Sequence, residues 1–124
     1  MSEVKKLADS GCHEIVVTGI HLSSYGLDFD NKEYNSQPVP NAERLLQVLE
    51  AIAKVEGIDR IRLGSLEPRI ITDEFLLRLS AIEQICPHFH LSLQSGCDET
   101  LRRMNRRYDT QEFYAGVVKI RKYF

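Results

Sequence analysis

The sequence predicts an α/β fold with about three parallel strands and flanking helices, on three observations. β-branched apolar runs alternate with stretches whose apolar residues recur at three-and-four spacing, in the order α-β-α-β-α-β-α-α. Each predicted strand ends in small or polar residues: Thr18-Gly19, then Ser65 and Glu67, then Gln94-Ser95-Gly96. The chain opens and closes on helical patterns with no closing strand, so both edges of a three-stranded sheet stay unpaired. Strands joined through helices run parallel with right-handed crossovers, and open edges mark an interior piece of a barrel or doubly wound sheet.

Ser2 is the expected cap of a short helix through about Ser10, with Gly11 as its stop. His13 to Thr18 is a β-branched run suited to a buried strand. Ile20 to Pro40 is polar and turn-rich, and loops of that length in compact domains are functional or mobile. Asn41 caps the next helix, which buries Ala42, Leu45, Leu46, Leu49, Ile52 and Ala53 and stops at Gly57. Arg60 to Leu63 is the second strand. Thr72 caps a helix with Phe75, Leu76, Leu79 and Ile82 on its apolar face, ended by Pro87. His88 to Leu93 is the third strand, and Asp98 opens a helix that starts acidic and ends basic. Thr110 caps the last helix, whose Phe113, Tyr114, Val117, Val118 and Ile120 share one side.

At 124 residues the chain has the length of one domain or part of one, and 43% hydrophobic residues support a core rather than disorder. A net charge of −2 argues against non-specific nucleic-acid binding through the overall field. No apolar run approaches a membrane span and the N-terminus lacks a secretory core, so a cytoplasmic protein without membrane partners is expected. Cys12, Cys86 and Cys97 are odd in number and widely spaced, which suits neither a disulfide framework nor a zinc clip. No metal ligand set is expected from them.

The strand ends carry the chemistry. In parallel α/β folds the C-terminal rim of the strands is the active face, and three polar corners there imply a shared ligand site. Glu67 can accept hydrogen bonds from a ribose or an ammonium group, or be a solvated loop acid beside Pro68. Gln94 and Ser95 follow an apolar strand and need partners, supplied by a ligand or by the helix they precede. Arg102, Arg103, Arg106 and Arg107 complement a helix C-terminus, and can equally face a phosphate or carboxylate. His88 and His90 share a strand face, with packing as the default over metal binding, and His21 either projects near the proposed rim or is an ordinary surface histidine of the long loop.

Thr18-Gly-Ile-His-Leu-Ser-Ser-Tyr-Gly26 resembles the loop after the second barrel strand of the tRNA methylthiotransferases, radical S-adenosylmethionine (SAM) enzymes. Arg60 to Pro68 is similar to their third strand, and His90 to Tyr108 to their fourth strand and following helix. The Gln-Ser-Gly-x-Asp and Met-Asn-Arg-Arg-Tyr elements are the most specific parts.

The resemblance implies that residues 1–124 are a partial (β/α) barrel of the radical SAM type, without the cluster-binding loop and flanking domains. In that family a Cys-x3-Cys-x2-Cys loop holds a [4Fe-4S] cluster whose open iron chelates SAM, and reductive cleavage gives a 5′-deoxyadenosyl radical. The radical takes hydrogen from adenine C2, which is then methylthiolated. A second cluster sits in an N-terminal domain, and a C-terminal domain contacts tRNA.

By position, Thr18 and Gly19 fall near the SAM amino group. Ser65, Glu67, Gln94 and Ser95 face ribose and methionine, and Arg106 is a candidate for the carboxylate. No catalytic residue is assigned. The cysteine triplet is absent from the sequence, so the chain is expected to be inactive without the remaining N- and C-terminal portions of the protein. The Ile20 to Tyr25 loop favours the branch acting on N6-threonylcarbamoyladenosine beside the anticodon. The competing expectations are a relative acting on isopentenyladenosine or a ribosomal protein aspartate, and a non-catalytic α/β module binding a nucleotide or RNA.

Overall fold

The computed structural model describes residues 1–19, 22, 25 and 42–124. The turn-rich segment, with His21 and the Asn41 cap, lies outside the described residues apart from Leu22 and Tyr25.

Helix α1 (Ser2–Asp9) has Met1 rather than Ser2 at its N-cap, and Ser2 is the first helical residue. The helix ends in a Schellman turn. Gly11 takes φ +87°, its amide donates to Ala8 O at 2.9 Å, and the Cys12 amide donates to Leu7 O at 3.0 Å.

Strand β1 (Glu14–Val17) pairs in parallel with β2 (Arg60–Leu63), from Glu14 opposite Arg60 to Val17 opposite Leu63. The short β3 (Ser65–Leu66) pairs in parallel with β4 (His90–Leu91), Ser65 opposite His90. The all-parallel α/β arrangement agrees with the sequence. The third strand is shorter than the expected His88 to Leu93. The second stands at its expected Arg60 to Leu63, and the two-residue β3, not expected from sequence, is split off after it with its own partner.

The split has a local cause. Ile61 and Leu63 enter the core, but so does Leu66, so the in–out alternation slips by one residue at Gly64-Ser65. One extra residue in a strand produces such a slip and bends the chain. Glycine is needed there, because a Cβ at position 64 would lie 2.7 Å from Thr18 Oγ1 and 3.2 Å from Thr18 Cα.

One face of the sheet packs on helices. Helix α2 (Glu43–Ala53) buries Leu45, Leu46, Leu49 and Ile52, and α3 (Asp73–Ser80) buries Phe75, Leu76 and Leu79, all in one cluster with Ile61, Leu63 and Leu66. Thr72 caps α3 as expected, its Oγ1 accepting from the Phe75 amide at 3.1 Å. The helix stops at Ser80, well before Pro87. The chain needs backbone groups free for the sheet: Ile61 donates to Gln84 O at 2.7 Å and Cys86 donates to Ile61 O at 2.9 Å.

Arg78, which donates to Glu50 at 2.7 Å and pairs with Glu43, ties α3 to α2. The opposite face of the β1–β2 pair carries charged side chains beside Val16. Glu14 pairs there with Arg60 at 2.7 Å and Arg62 at 3.4 Å, and Arg62 reaches His88 Nε2 at 3.3 Å.

After β4 come α4 (Asp98–Arg103) and α5 (Thr110–Tyr123). Asp109, not Thr110, caps α5, in a capping box with Glu112 at 2.8 and 3.0 Å. The expected apolar side of α5 is only partly used. Gly116 and Ile120 are buried, while Tyr114 and Val118 stay exposed. A Cβ on Gly116 would sit 3.7 Å from Ile71 and 3.9 Å from Pro68 O. The helix therefore seats on its glycine, which turns Tyr114 and Val118 outward.

Candidate functional site

Beyond β3 the chain passes through Glu67 into a single 3-10 turn (Pro68–Ile70). Beyond α4 it reverses at Asn105, whose φ of +55° is the left-handed conformation that asparagine tolerates. This is a second Schellman turn, with the Asn105 amide on Arg102 O at 3.0 Å and the Arg106 amide on Leu101 O at 2.9 Å. The reversal brings Arg106 to Glu67, Nη1 to Oε1 at 3.9 Å, with both side chains partly shielded. Arg106 Nε is buried with no hydrogen-bond partner among the described residues. An unpaired buried donor of this kind is costly, and it marks a place where an acceptor would be stabilised.

The Gln94-Ser95-Gly96 corner follows Ser92 and Leu93, whose carbonyls face the hydroxyl of Tyr108, two residues after Arg106. Gln94 is exposed and takes φ +67°, a strained setting for a residue with a side chain. The Ser95 hydroxyl accepts from the Cys97 amide at 3.1 Å, so its acceptor side serves the turn into α4. Ser65 turns to Ser92 instead, hydroxyl to hydroxyl. Asp98 does not cap its own helix; it accepts from the Thr110 amide at 2.9 Å and so joins the start of α4 to the start of α5. That bond holds the Asp98 carboxyl below the usual carboxylate range. Hydrogen bonds from the Thr100 backbone and hydroxyl, then the Glu99 amide, pull the exposed Cys97 thiol below its ordinary value.

Thr18 and Gly19 are exposed at the end of β1, with the Thr18 side chain against Gly64. Among the described residues, then, the structure brings together Glu67 with Arg106, and Thr18 with the Gly64-Ser65 bend. Gln94 and Ser95 follow the Ser92 that Ser65 contacts.

Two residues not singled out from sequence complete the rim. One is Ser92, which continues the alternation of His88 and His90. The other is Tyr108, which is 5% exposed and donates its hydroxyl to Ser92 O, with Leu93 O at 3.5 Å. Desolvation pushes the Tyr108 hydroxyl above its ordinary pKa, so it remains a donor. The signal for Tyr108 was its place at the end of Met-Asn-Arg-Arg-Tyr, an apolar ring closing an otherwise polar run.

A parallel α/β unit with a polar rim beyond its strand ends defines a class of ligand-binding catalytic domains, and comparison with known proteins specifies it. The profile of the Radical SAM superfamily matches residues 1–124, and the chain belongs to that superfamily. The threonylcarbamoyladenosine tRNA methylthiotransferase MtaB of Bacillus subtilis is 41% identical over 115 residues, covering 93% of this chain and 23% of its own length. A tRNA-2-methylthio-N(6)-dimethylallyladenosine synthase of Lawsonia intracellularis is 35% identical, covering 98% and 26%. The corresponding synthase 1 of Mycobacterium marinum is 32% identical, covering 98% and 23%. The homologues are thus tRNA methylthiotransferases, and the chain spans about a quarter of their length.

Radical SAM enzymes use SAM with a [4Fe-4S] cluster, and the cysteines present do not fit the cluster. Cys12 precedes β1, Cys86 is buried beside Ile61, and Cys97 is exposed beyond β4. No group of three His, Cys, Asp or Glu among the described residues is placed to hold a metal ion. The Glu67–Arg106 pair does fit SAM. It offers a carboxylate for an ammonium or ribose hydroxyl, and an unpaired buried donor for a carboxylate. No helix among the described residues is long and apolar enough to cross a membrane.

Proposed function

We propose that residues 1–124 form part of the (β/α) barrel of a radical SAM tRNA methylthiotransferase that modifies C2 of N6-threonylcarbamoyladenosine beside the anticodon. The observation that carries this reading is the buried Arg106 Nε, unpaired among the described residues, in a chain 41% identical to a threonylcarbamoyladenosine tRNA methylthiotransferase. Arg106 would hold the SAM carboxylate. Glu67, Thr18 and Gly19 would bind its ammonium and ribose groups, and Ser65, Gln94 and Ser95 would line the rest of the site. When bound, SAM supplies the hydrogen-abstracting chemistry of the superfamily. The cluster, tRNA-binding parts and sulfur chemistry would come from other portions of the protein.

A dimethylallyladenosine substrate is the second reading, favoured by the two relatives of that name. Mass spectrometry of tRNA nucleosides from cells with and without the intact gene separates the two. Loss of the methylthio group from threonylcarbamoyladenosine alone is the expected result. Loss from dimethylallyladenosine would move the assignment to the second branch, and no change in either would overturn both.

A further inference from the structure

We infer that Tyr108 is a positioning residue for the SAM site, fastening the Gln94-Ser95-Gly96 corner to the turn that presents Arg106. The inference rests on the proposed SAM reading and adds to it a residue that need not touch the ligand. Tyr108 lies two positions after Arg106, and its hydroxyl reaches the carbonyls of Ser92 and Leu93, immediately before the left-handed Gln94.

The two halves of the rim come from separate segments: the β4 end on one side, and the left-handed turn at Asn105 with Arg106 on the other. The Tyr108 hydroxyl bridges them, and the Asp98 bond to the Thr110 amide separately joins the start of α4 to the start of α5. A corner whose backbone departs from the favoured regions persists only where its surroundings over-determine it. Tyr108, nearly fully buried, supplies that constraint next to Gln94. Ligand groups held by a pre-set corner bind without the cost of ordering it.

Tyr108→Phe keeps the ring and removes only the hydroxyl. In the full gene product, reconstituted anaerobically with iron and sulfide, SAM itself is the probe, by equilibrium dialysis. The expected result is a Kd weakened about tenfold, the scale set by one lost constraint. Faster amide exchange in the ligand-free variant, confined to residues 93–97 and 104–108, should accompany it, with the β1–β2 ladder unchanged. Wild-type SAM affinity in the variant, or faster exchange throughout the fold, would overturn the positioning role. A wild-type protein that fails to bind SAM would instead overturn the SAM reading, and this inference with it.

Discussion

Gly64 and Cys97 show how single side chains are set by their surroundings. A Cβ at position 64 would press on the Thr18 backbone as well as its hydroxyl, and backbone cannot rotate away. Gly64→Ala should therefore cost about 1–3 kcal/mol, as overpacked sites do. Urea unfolding measures it, and a midpoint equal to wild type would mean that β1 and the bend separate freely. Cys97 combines exposure with a thiol pulled down by the Thr100 and Glu99 hydrogen bonds, whereas Cys86 is buried. Of the three cysteines, Cys97 should react fastest with iodoacetamide near neutral pH. Mass spectrometry of the alkylated peptides over time decides this, and Cys86 leading would contradict it.

Among the elements, caps and ion pairs are the testable joints. Thr72→Ala removes the side-chain acceptor of the Phe75 amide, and should lower stability by about 1 kcal/mol in chemical denaturation. Glu14, Glu43, Asp73 and Asp98 all have carboxyls held below their ordinary values, by Arg60, Arg78, Tyr123 and the Thr110 amide respectively. A carboxyl depressed on folding contributes stability that is complete above its unfolded pKa, near about 4. That contribution disappears as pH falls through the folded value. The Tm should hold between about pH 7 and 5 and fall below about pH 4. A Tm that rises on acidification in that lower range would show these pairs to be absent.

The elements were legible where one local signal dominated, as in Arg60 to Leu63 or the Thr72 cap. They were misread where tertiary demands competed. Pro87 looked like the end of α3, but residues 84–86 are drawn to Ile61, so the helix ends sooner. Thr110 looked like a cap, but its amide is taken by Asp98 and Asp109 does the capping. Glu67 and Arg106 were each visible as candidates. Their meeting was not, because it depends on one left-handed turn at Asn105 between distant segments.

At the scale of the molecule, α2 and α3 bury their apolar faces with Ile61, Leu63 and Leu66, while other apolar side chains stay exposed among the described residues. Val16 on β1 is 50% exposed, and Tyr114 and Val118 on α5 are 68% and 50% exposed. Apolar surface of this kind marks interfaces and association-prone sites. The 124-residue chain expressed alone should therefore associate, with a light-scattering mass above the 14.3 kDa of one copy. A monodisperse species of single-copy mass at micromolar concentration would show that these side chains are tolerated in water.

The slip at Gly64-Ser65 acts as a change of phase along one strand. Upstream of it, even-numbered side chains (Arg60, Arg62) face away from the core; downstream, odd-numbered Ser65 does, while Leu66 returns to the core. A strand that kept strict alternation would send Ser65 among the leucines and turn Leu66 out to the hydroxyl of Ser92. A single-residue deletion at this step would remove the extra residue and the bend, because a regularly alternating strand would then keep Ser65 out and Leu66 in. The length of this corner, one residue more than regular pairing allows, is as much a part of the rim's chemistry as the side chains it carries.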